Sequence, residues 1–322
     1  GQMSAIKDTM GESPQIKQVL KQIEIIAPTN MTVIIQGESG TGKELIAQMI
    51  HQKSLRKSKP FIAIDCGAIP ESLMESELFG YEKGAFTGAD SPKEGKFEVA
   101  HQGSLFLDEV ANLSEGMQAK LLRVIQERKL QHLGGKRDIN IDVRIIVASK
   151  TNLSEGTRCG HFRDDLFHRL NEFHINLPLL KERREDIPAL VKYFLEEANQ
   201  ELNKNVKGIS IEAMKFLLDY PWPGNVRELK NVIKKAVLLS DAETILPEYI
   251  SVNHTPQNPT LTKSDTFELK EDSSLEALSE DFERKLIKAA LQKLGGNRNE
   301  AARCLKINRK ALYRKMKSLG LD

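Results

Sequence analysis

The run Gly37-Glu38-Ser39-Gly40-Thr41-Gly42-Lys43 sets three glycines and a lysine within seven residues. Glycines let backbone N–H groups turn inward around phosphate oxygens, and a lysine opening a helix reaches the terminal phosphates. The pattern has this meaning only between a strand and a helix. Here an apolar strand-like run precedes it and a helical pattern follows; in another setting it would be a glycine turn with a surface lysine. Glu44 stands where the general motif has Ser or Thr, so the usual hydroxyl ligand to magnesium is missing. Asp108-Glu109 closes the run Leu105-Phe106-Leu107. Carboxylates at the C-terminal end of a parallel strand face the same crevice as such a loop. Asp108 is suited to hold magnesium through water, and Glu109 to orient and polarise an attacking water; on its own the pair would be a solvated strand end. Arg163 and Arg169 offer positive charge for a transferring phosphoryl group. On one helix they would lie roughly 240° apart, and spacing alone makes them surface arginines.

These groups need a sheet to carry them. Residues 32–36, 61–65, 104–108 and 143–148 read as strands, nearly continuous in apolar residues, as strands covered on both faces are. Helical patterns separate them. One has Ser114 as N-cap and Met117, Leu121, Val124 and Ile125 in a single stripe. Strands alternating with helices predict an α/β fold with a largely parallel sheet. From Asp186 to Leu239 the pattern is helical: Ile187, Leu190, Val191, Phe194, Leu195 and Ala198 follow the 3.6-residue period, Pro221, Pro223 and Gly224 break the chain before another helix, and the whole reads as a small helical subdomain. The polar stretch 253–274, with two prolines, reads as a linker.

At 322 residues the chain has room for two domains and a small third. With 40 % apolar and 29 % charged residues, disorder throughout is excluded. No run of about 18 apolar residues occurs, which excludes a helical membrane span. Three scattered cysteines exclude a disulfide scaffold and a cysteine zinc site, and with no secretory leader in view they predict a cytoplasmic protein. Gly1-Gln2 ahead of Met3 reads as a cleavage remnant. The seven histidines show no metal-ligand spacing, and Lys53, Arg56, Lys57 and Lys59 read as a solvated loop. Charge is uneven: residues 297–322 carry eight Lys or Arg against two Asp or Glu, while the whole chain is only +2. Such a basic tail on a mildly acidic body predicts an appended nucleic-acid module. Within it, Phe282, Leu286, Ala289 and Ala290 line a first helix, 298–305 forms a second, and Asn308 caps a third running to residue 319. Two helices across a tight turn make a helix-turn-helix, with Ala301, Ala302, Leu305, Leu312 and Met316 as core. Asn308, Arg309, Lys310, Tyr313, Arg314, Lys315 and Lys317 are candidates for DNA contact.

With these residues quoted, the chain resembles the bacterial enhancer-binding proteins, AAA+ ATPases that activate sigma-54 RNA polymerase. Residues 37–44 resemble that family's Walker A, in which Glu at the last position is usual, and 103–110 its Walker B. The most specific likeness is Gly84-Ala85-Phe86-Thr87-Gly88-Ala89, preceded by Glu77-Leu78-Phe79-Gly80: the family's sigma-54 contact loop, in which small residues flank one aromatic. Trp222-Pro223-Gly224-Asn225-Val226-Arg227-Glu228-Leu229 resembles the lid signature, with Arg227 as second sensor. Arg163 and Arg169 fall where the family places arginines that reach the neighbouring subunit's nucleotide, so the resemblance reverses the surface reading. Two positions depart. Ser149-Lys150 replaces the usual Thr-Asn of the first sensor, and Asp65 replaces an Asn that holds the catalytic Glu. Two ionised carboxylates repel, so Asp65 implies a switch of different detail. Ala311 stands where a Thr is usual in the tail.

The resemblance implies an AAA+ P-loop core over 1–178, a helical lid over 179–252, the linker over 253–274, and a Fis-type helix-turn-helix domain over 275–322. It implies ATP with Mg2+ as cofactors and double-stranded enhancer DNA and sigma-54 RNA polymerase as partners. It further implies a dimer at rest, a hexameric ring when active, no membrane, and a place in two-component regulation.

Overall fold

The computed structural model describes residues 10–241, 243–250, 284, 287, 298, 302 and 309–318, the side chains of 309, 310 and 317 excepted. The chain forms two compact units, Gly1–Asn253 and His254–Asp322. In chain order the elements of the first begin with α1 (Pro14–Ile26), β1 (Val33–Gln36), α2 (Lys43–Gln52), β2 (Phe61–Asp65), α3 (Glu71–Phe79), β3 (Gly80–Tyr81), β4 (Lys93–Glu94) and α4 (Lys96–Val99). They continue with β5 (Ser104–Asp108), α5 (Glu115–Glu127), β6 (Lys129–Leu130), β7 (Ile139–Asn140), β8 (Arg144–Ser149), α6 (Leu153–Arg158), α7 (Asp164–Leu170) and β9 (Phe173–Asn176). The lid follows with α8 (Ile187–Leu202), β10 (Gly208–Ile209), α9 (Ile211–Asp219), α10 (Asn225–Leu239) and β11 (Thr244–Ile245); α11 (Arg309–Ser318) belongs to the second unit.

Five strands form one sheet in the order β2-β5-β8-β1-β9, and every pairing is parallel. Side chains alternate across a strand, so each strand feeds two cores. Leu105 and Leu107 of β5 join Ile34, Ile145 and Val147 on one face. Phe106 joins Val33, Ile35, Ile146 and Ala148 on the other, beneath α1 and α2. The inner strands β5 and β8 are buried almost throughout, as continuous apolar runs require. β2 lies at the edge and is only partly covered. β9, at the other edge, carries no apolar run and was absent from the sequence-based strands. Ser114 occupies the N-cap of α5, but its side chain makes no capping hydrogen bond, and Ile125 is half-buried while Met117, Leu121 and Val124 are buried.

All six apolar positions predicted for the lid helix are buried in α8. They pack with Leu229, Val232, Ile233, Ala236 and Val237 of α10 into a core separate from the sheet's. The joint between sheet and lid is polar and closely fitted. Asp186, buried ahead of α8, accepts the N–H groups of Glu12 and Ser13 through Oδ1 (2.7 Å each) and the Ser13 hydroxyl through Oδ2 (2.7 Å). Arg183, also buried, donates to the Met10 carbonyl at 2.6 Å. Gly11 has φ +92°, and a Cβ there would lie 2.2 Å from Asp186 Cγ, so only glycine fits the strap.

In the second unit, Leu312 and Met316 are buried one turn apart on α11, and Ala302 is buried as well. The other predicted core positions, the linker and Asn308 lie outside the described residues.

Replacing Asp186 by Ala leaves three donors of the strap without their acceptor. The expected loss is about 2–4 kcal/mol of unfolding free energy, read by urea denaturation followed by circular dichroism.

Candidate functional site

The strand ends that face one another come from β1, β2, β5 and β8. Register aligns Asp65 with Asp108 and Gln36 with Ser149, so the loop after β1 and the carboxylates after β2 and β5 open on one edge. In the loop, Gly40 (φ +79°) and Gly42 (φ +105°) take left-handed conformations, and Thr41 Oγ1 donates to the Glu38 carbonyl at 2.7 Å. Gly42 occupies the N-cap of α2, whose first residue is Lys43, and Glu44 follows in the first turn. Free N–H groups at this end favour anions. A cleft of about 720 Å³ lies over the loop, lined by Lys43, Glu44, Asp65, Asp108 and Glu109 from the core and by Tyr193, Phe194 and Arg227 from the lid.

The Lys43 side chain is 6 % exposed, and its ammonium donates to the Gly37 carbonyl at 2.9 Å and to Glu109 Oε1 at 3.2 Å. Glu109 has φ +52°, an orientation that costs an L-residue about 1–2 kcal/mol and turns its side chain back towards Lys43. Its other oxygen accepts the Lys150 N–H at 3.4 Å. Asp108 Oδ1 accepts the Glu109 N–H at 2.9 Å. Burial holds the Asp108 carboxyl above the usual carboxylate range. Lys43 and the Glu109 N–H pull it back, while the charges of Glu109 and Asp65 add to the rise. Cys66, buried beside them, has its thiol pushed up to about 12 by burial and by the same three carboxylates, so it stays neutral. Asp65 does not meet Glu109 through a hydrogen bond. Its Oδ1 accepts the Gly67 N–H at 2.8 Å, which gives that carboxylate a local partner. The Ser149 hydroxyl is likewise engaged away from the cleft, donating to the Thr151 carbonyl at 2.8 Å.

Among the described residues no group of three or more His, Cys, Asp or Glu could hold a metal. A divalent cation here would rest on Asp108 and substrate phosphates. That suits magnesium, which commonly takes one or two carboxylates, phosphate oxygens and water, and a half-buried carboxylate raised by desolvation is one that a cation would stabilise.

The lid reaches the loop through three contacts. Arg227 Nη1 donates to Ser39 Oγ at 3.0 Å and its backbone N–H to the Gly40 carbonyl at 3.2 Å. Asn225, buried and with φ +51°, donates to the Ser39 carbonyl at 3.0 Å and accepts the Leu180 N–H at 2.9 Å. A Cβ on Gly40 would stand 2.2 Å from the Gly224 carbonyl oxygen. Sequence reasoning singled out Arg227 but not Asn225. The only local signal was an Asn after Gly224, and its partner lies 186 residues away.

Arg163 is the N-cap residue of α7, not a residue within it, so the helical-wheel separation from Arg169 does not apply. It pairs with Asp165 at 2.8 Å. Arg169 is exposed and borders a small cavity beside Glu172. Neither is among the residues lining the cleft.

Residues 84–89 form a turn closed by Gly84 N–H to the Ala89 carbonyl (2.9 Å) and Ala89 N–H to the Phe86 carbonyl (3.0 Å). Gly84 (φ +81°) and Gly88 (φ +98°) flank it with open space around both. Ala85 is half-buried and Ala89 buried, whereas Phe86, 44 % exposed, and Thr87 stand at the tip. Phe86 meets Tyr81 edge-on with centroids 4.9 Å apart. On α11, Tyr313 and Arg314 are exposed and Lys315 is half-buried, and the Arg298 guanidinium lies 5.2 Å from the Tyr313 ring centre. Arg309 and Lys310 open that helix and Lys317 lies in its last turn.

Comparison with known proteins matches residues 9–176 to the sigma-54 interaction domain, 181–266 to the AAA+ ATPase lid domain and 279–319 to the bacterial regulatory protein, Fis family. Transcriptional regulatory protein ZraR of Escherichia coli K12 is 46 % identical over 307 residues, 95 % of this chain and 68 % of that protein. DNA-binding transcriptional regulator NtrC of Proteus hauseri is 38 % identical over 337 residues, 99 % of this chain and 71 % of its own length. Among solved structures, NtrX of Brucella abortus in complex with ATP superposes with a TM-score of 0.73 at 35 % identity, covering 96 % of this chain and 68 % of that one.

Gly40→Ala forces the lid's Gly224 away from the loop. Nucleotide affinity is expected to fall about tenfold, measured by titration with a fluorescent ATP analogue.

Proposed function

The chain belongs to the sigma-54-dependent transcriptional activators, with an AAA+ ATPase domain, its lid and a Fis-type DNA-binding domain, and we propose that it hydrolyses ATP in a ring of subunits to convert sigma-54 RNA polymerase closed complexes into open ones. The observation that carries this reading is the pairing, within one domain, of a Lys43–Glu109 cleft with a turn whose tip exposes Phe86 and Thr87.

ATP phosphates lie in the loop 37–43, against its N–H groups and the Lys43 ammonium. The incoming γ-phosphate competes with Glu109 for that ammonium. Glu109 is then free to accept a proton from the attacking water, and the Lys150 N–H keeps its second oxygen oriented. Magnesium, held by Asp108 through water, would neutralise charge on the phosphate oxygens. Arg227 carries the state of the nucleotide to the lid through the Ser39 contact. Arg163 and Arg169 serve the neighbouring subunit's site, a role supported by their position outside their own cleft; it requires a ring, hexameric when active, assembled from dimers at rest. Asp65, Ser149 and Lys150 make up the switch around Glu109, with Asp65 tied to Gly67 in place of the Asn contact of the wider family.

The contact loop, Gly84 to Ala89, binds sigma-54 differently in the two nucleotide states, and that difference performs the work. Asn308, Arg309, Lys310, Tyr313, Arg314, Lys315 and Lys317 dock enhancer DNA, and the dimeric module calls for a palindromic site. No described helix is long and apolar enough to cross a membrane.

Glu109→Gln should cut hydrolysis about 100-fold while nucleotide still binds, measured by phosphate release and by equilibrium titration. Thr87→Ala should keep wild-type hydrolysis and lose open-complex formation in transcription from a purified sigma-54 promoter. Full transcription from that variant would remove the contact role from the loop.

A further inference from the structure

At the foot of the contact loop, the hairpin loop between β6 and β7 runs alongside β3. The Leu133 N–H donates to the Gly80 carbonyl and the Glu82 N–H to the Leu133 carbonyl, both at 3.0 Å. His132 immediately precedes Leu133, and its side chain is 10 % exposed. Nδ1 lies 2.8 Å from Glu82 Oε1, two residues before Gly84, and Nε2 lies 2.6 Å from Glu98 Oε1 on α4. We propose that His132 is a positioning residue for the contact loop and a proton-dependent clamp: with both ring nitrogens protonated it holds Glu82 and Glu98 together, and with one protonated it releases Glu82. The inference rests on reading 84–89 as the sigma-54 contact loop, and it adds a control on that loop's foot.

The chemistry follows from donor counting. A neutral imidazole has one N–H donor and one acceptor nitrogen, whereas ionised carboxylates only accept. The neutral ring therefore satisfies one of its two carboxylates and sets a lone pair against the other. Glu98 is the fixed partner. Its Oε1 also accepts the Gly95 N–H at 3.1 Å, and its side chain is 16 % exposed. Glu82, 48 % exposed, has water as an alternative and is the one let go. Several other charges near the ring have partners of their own: Glu75 with Lys120, Arg123 with Glu127 (3.0 Å), Glu77 with Lys93 (2.6 Å) and Lys129 with Asp138 (3.9 Å); Lys83, Glu94, Lys96, Lys136 and Arg137 also lie on the adjoining segments. Of these charges, Glu82 and Glu98 are the ones hydrogen-bonded to the ring. Burial alone would push the imidazole down, but hydrogen bonds and charge from Glu98 and Glu82 outweigh it and hold it above the ordinary histidine value. The clamp is accordingly complete below the ordinary value and is lost as pH rises through the raised one. Release reaches the tip by a short path, because Gly134 in the same hairpin loop lies against Ala85, a Cβ on it falling 3.0 Å from the Ala85 Cβ.

Hydrogen–deuterium exchange of the peptide spanning 80–90, expressed as protection relative to the unstructured rate, reads the foot without sigma-54. In the full chain, protection should fall about fivefold between pH 6.5 and pH 9. His132→Arg, which keeps its charge over that range, should stay protected, His132→Gln should be weakly protected throughout, and the exposed Glu82→Gln should show a flat profile without disturbing the core. ATP hydrolysis should follow one pH profile in all four proteins, since His132 and Glu82 lie outside the nucleotide cleft. Capture of sigma-54 in the presence of ADP and aluminium fluoride should track protection. A wild-type profile in His132→Arg or Glu82→Gln, or a flat profile in the wild type, would overturn the clamp. The expected exchange pattern without matching capture would support the clamp and overturn instead the reading of 84–89 as the sigma-54 contact.

Discussion

An ammonium taken out of water must find oxygen, and at Lys43 the oxygens come from places that only the sheet brings together. The Gly37 carbonyl is supplied by the loop that carries the lysine, and Glu109 arrives from the end of β5, 66 residues away. The pair holds because β1 and β5 flank β8 in parallel register, so that both strands end at one edge. It holds also because Glu109 accepts a left-handed backbone to aim its carboxylate. A bond of this kind resists exposure to water and yields to a competing anion. Phosphate oxygens would offer that competition, and on the proposed reading the same contact organises the cleft before substrate enters and frees the Glu109 carboxylate afterwards.

The lid adds leverage to the pair. Its attachment to the loop is made of backbone and short side chains: the Gly224 carbonyl against Gly40, Asn225 on the Ser39 carbonyl, Arg227 on the Ser39 hydroxyl. Such contacts tolerate little sliding, so a change of a fraction of an ångström in the loop must be passed to α10 or break a bond. At its other end the lid is anchored by Asp186 to residues 12 and 13. Between these two attachments the lid keeps a hydrophobic core of its own, separate from the sheet's.

Local chemistry was legible in the chain and distant partnership was not. The phosphate loop could be read because its glycines and lysine are contiguous and their conformations are local demands. The burial of α8 could be read because six apolar residues keep one helical period. By contrast, the ring of bonds around Asn225 joins residues 39, 180 and 225, and no spacing rule connects them. β3, β4, β6 and β7 are two residues long each, too short for a period of two to register. β9, Phe-His-Ile-Asn, is an edge strand stabilised by its neighbour more than by its own composition. Asp65 was legible as a charge beside Glu109, yet the sequence could not show that its carboxylate would turn to the Gly67 N–H. Arg144 gave no signal at all: buried in β8, it donates to the carbonyls of Ile26 and Ala27 at the end of α1, where a helix terminus needs donors.

The tip of the turn at 84–89 presents the opposite problem to the cleft. A soluble domain that exposes a phenylalanine loses the stability its burial would give, about 2 kcal/mol for a full side chain. Here the loss is limited by the edge-on contact with Tyr81 and by the buried Ala89 at the base of the turn. A Cβ on either flanking glycine would meet nothing within 4 Å, so it is their left-handed angles, not lack of space, that resist most other residues. Freedom at the tip is useful to an ATPase only if the foot is constrained, for a loop loose at both ends transmits no displacement. The ladder bonds of Tyr81, Glu82 and Leu133 supply that constraint on the backbone side. The aromatic at the tip is held by one ring contact, on Tyr81, above a foot held by hydrogen bonds. A group that competed with Tyr81 for that ring would therefore act on the tip while the foot stays held.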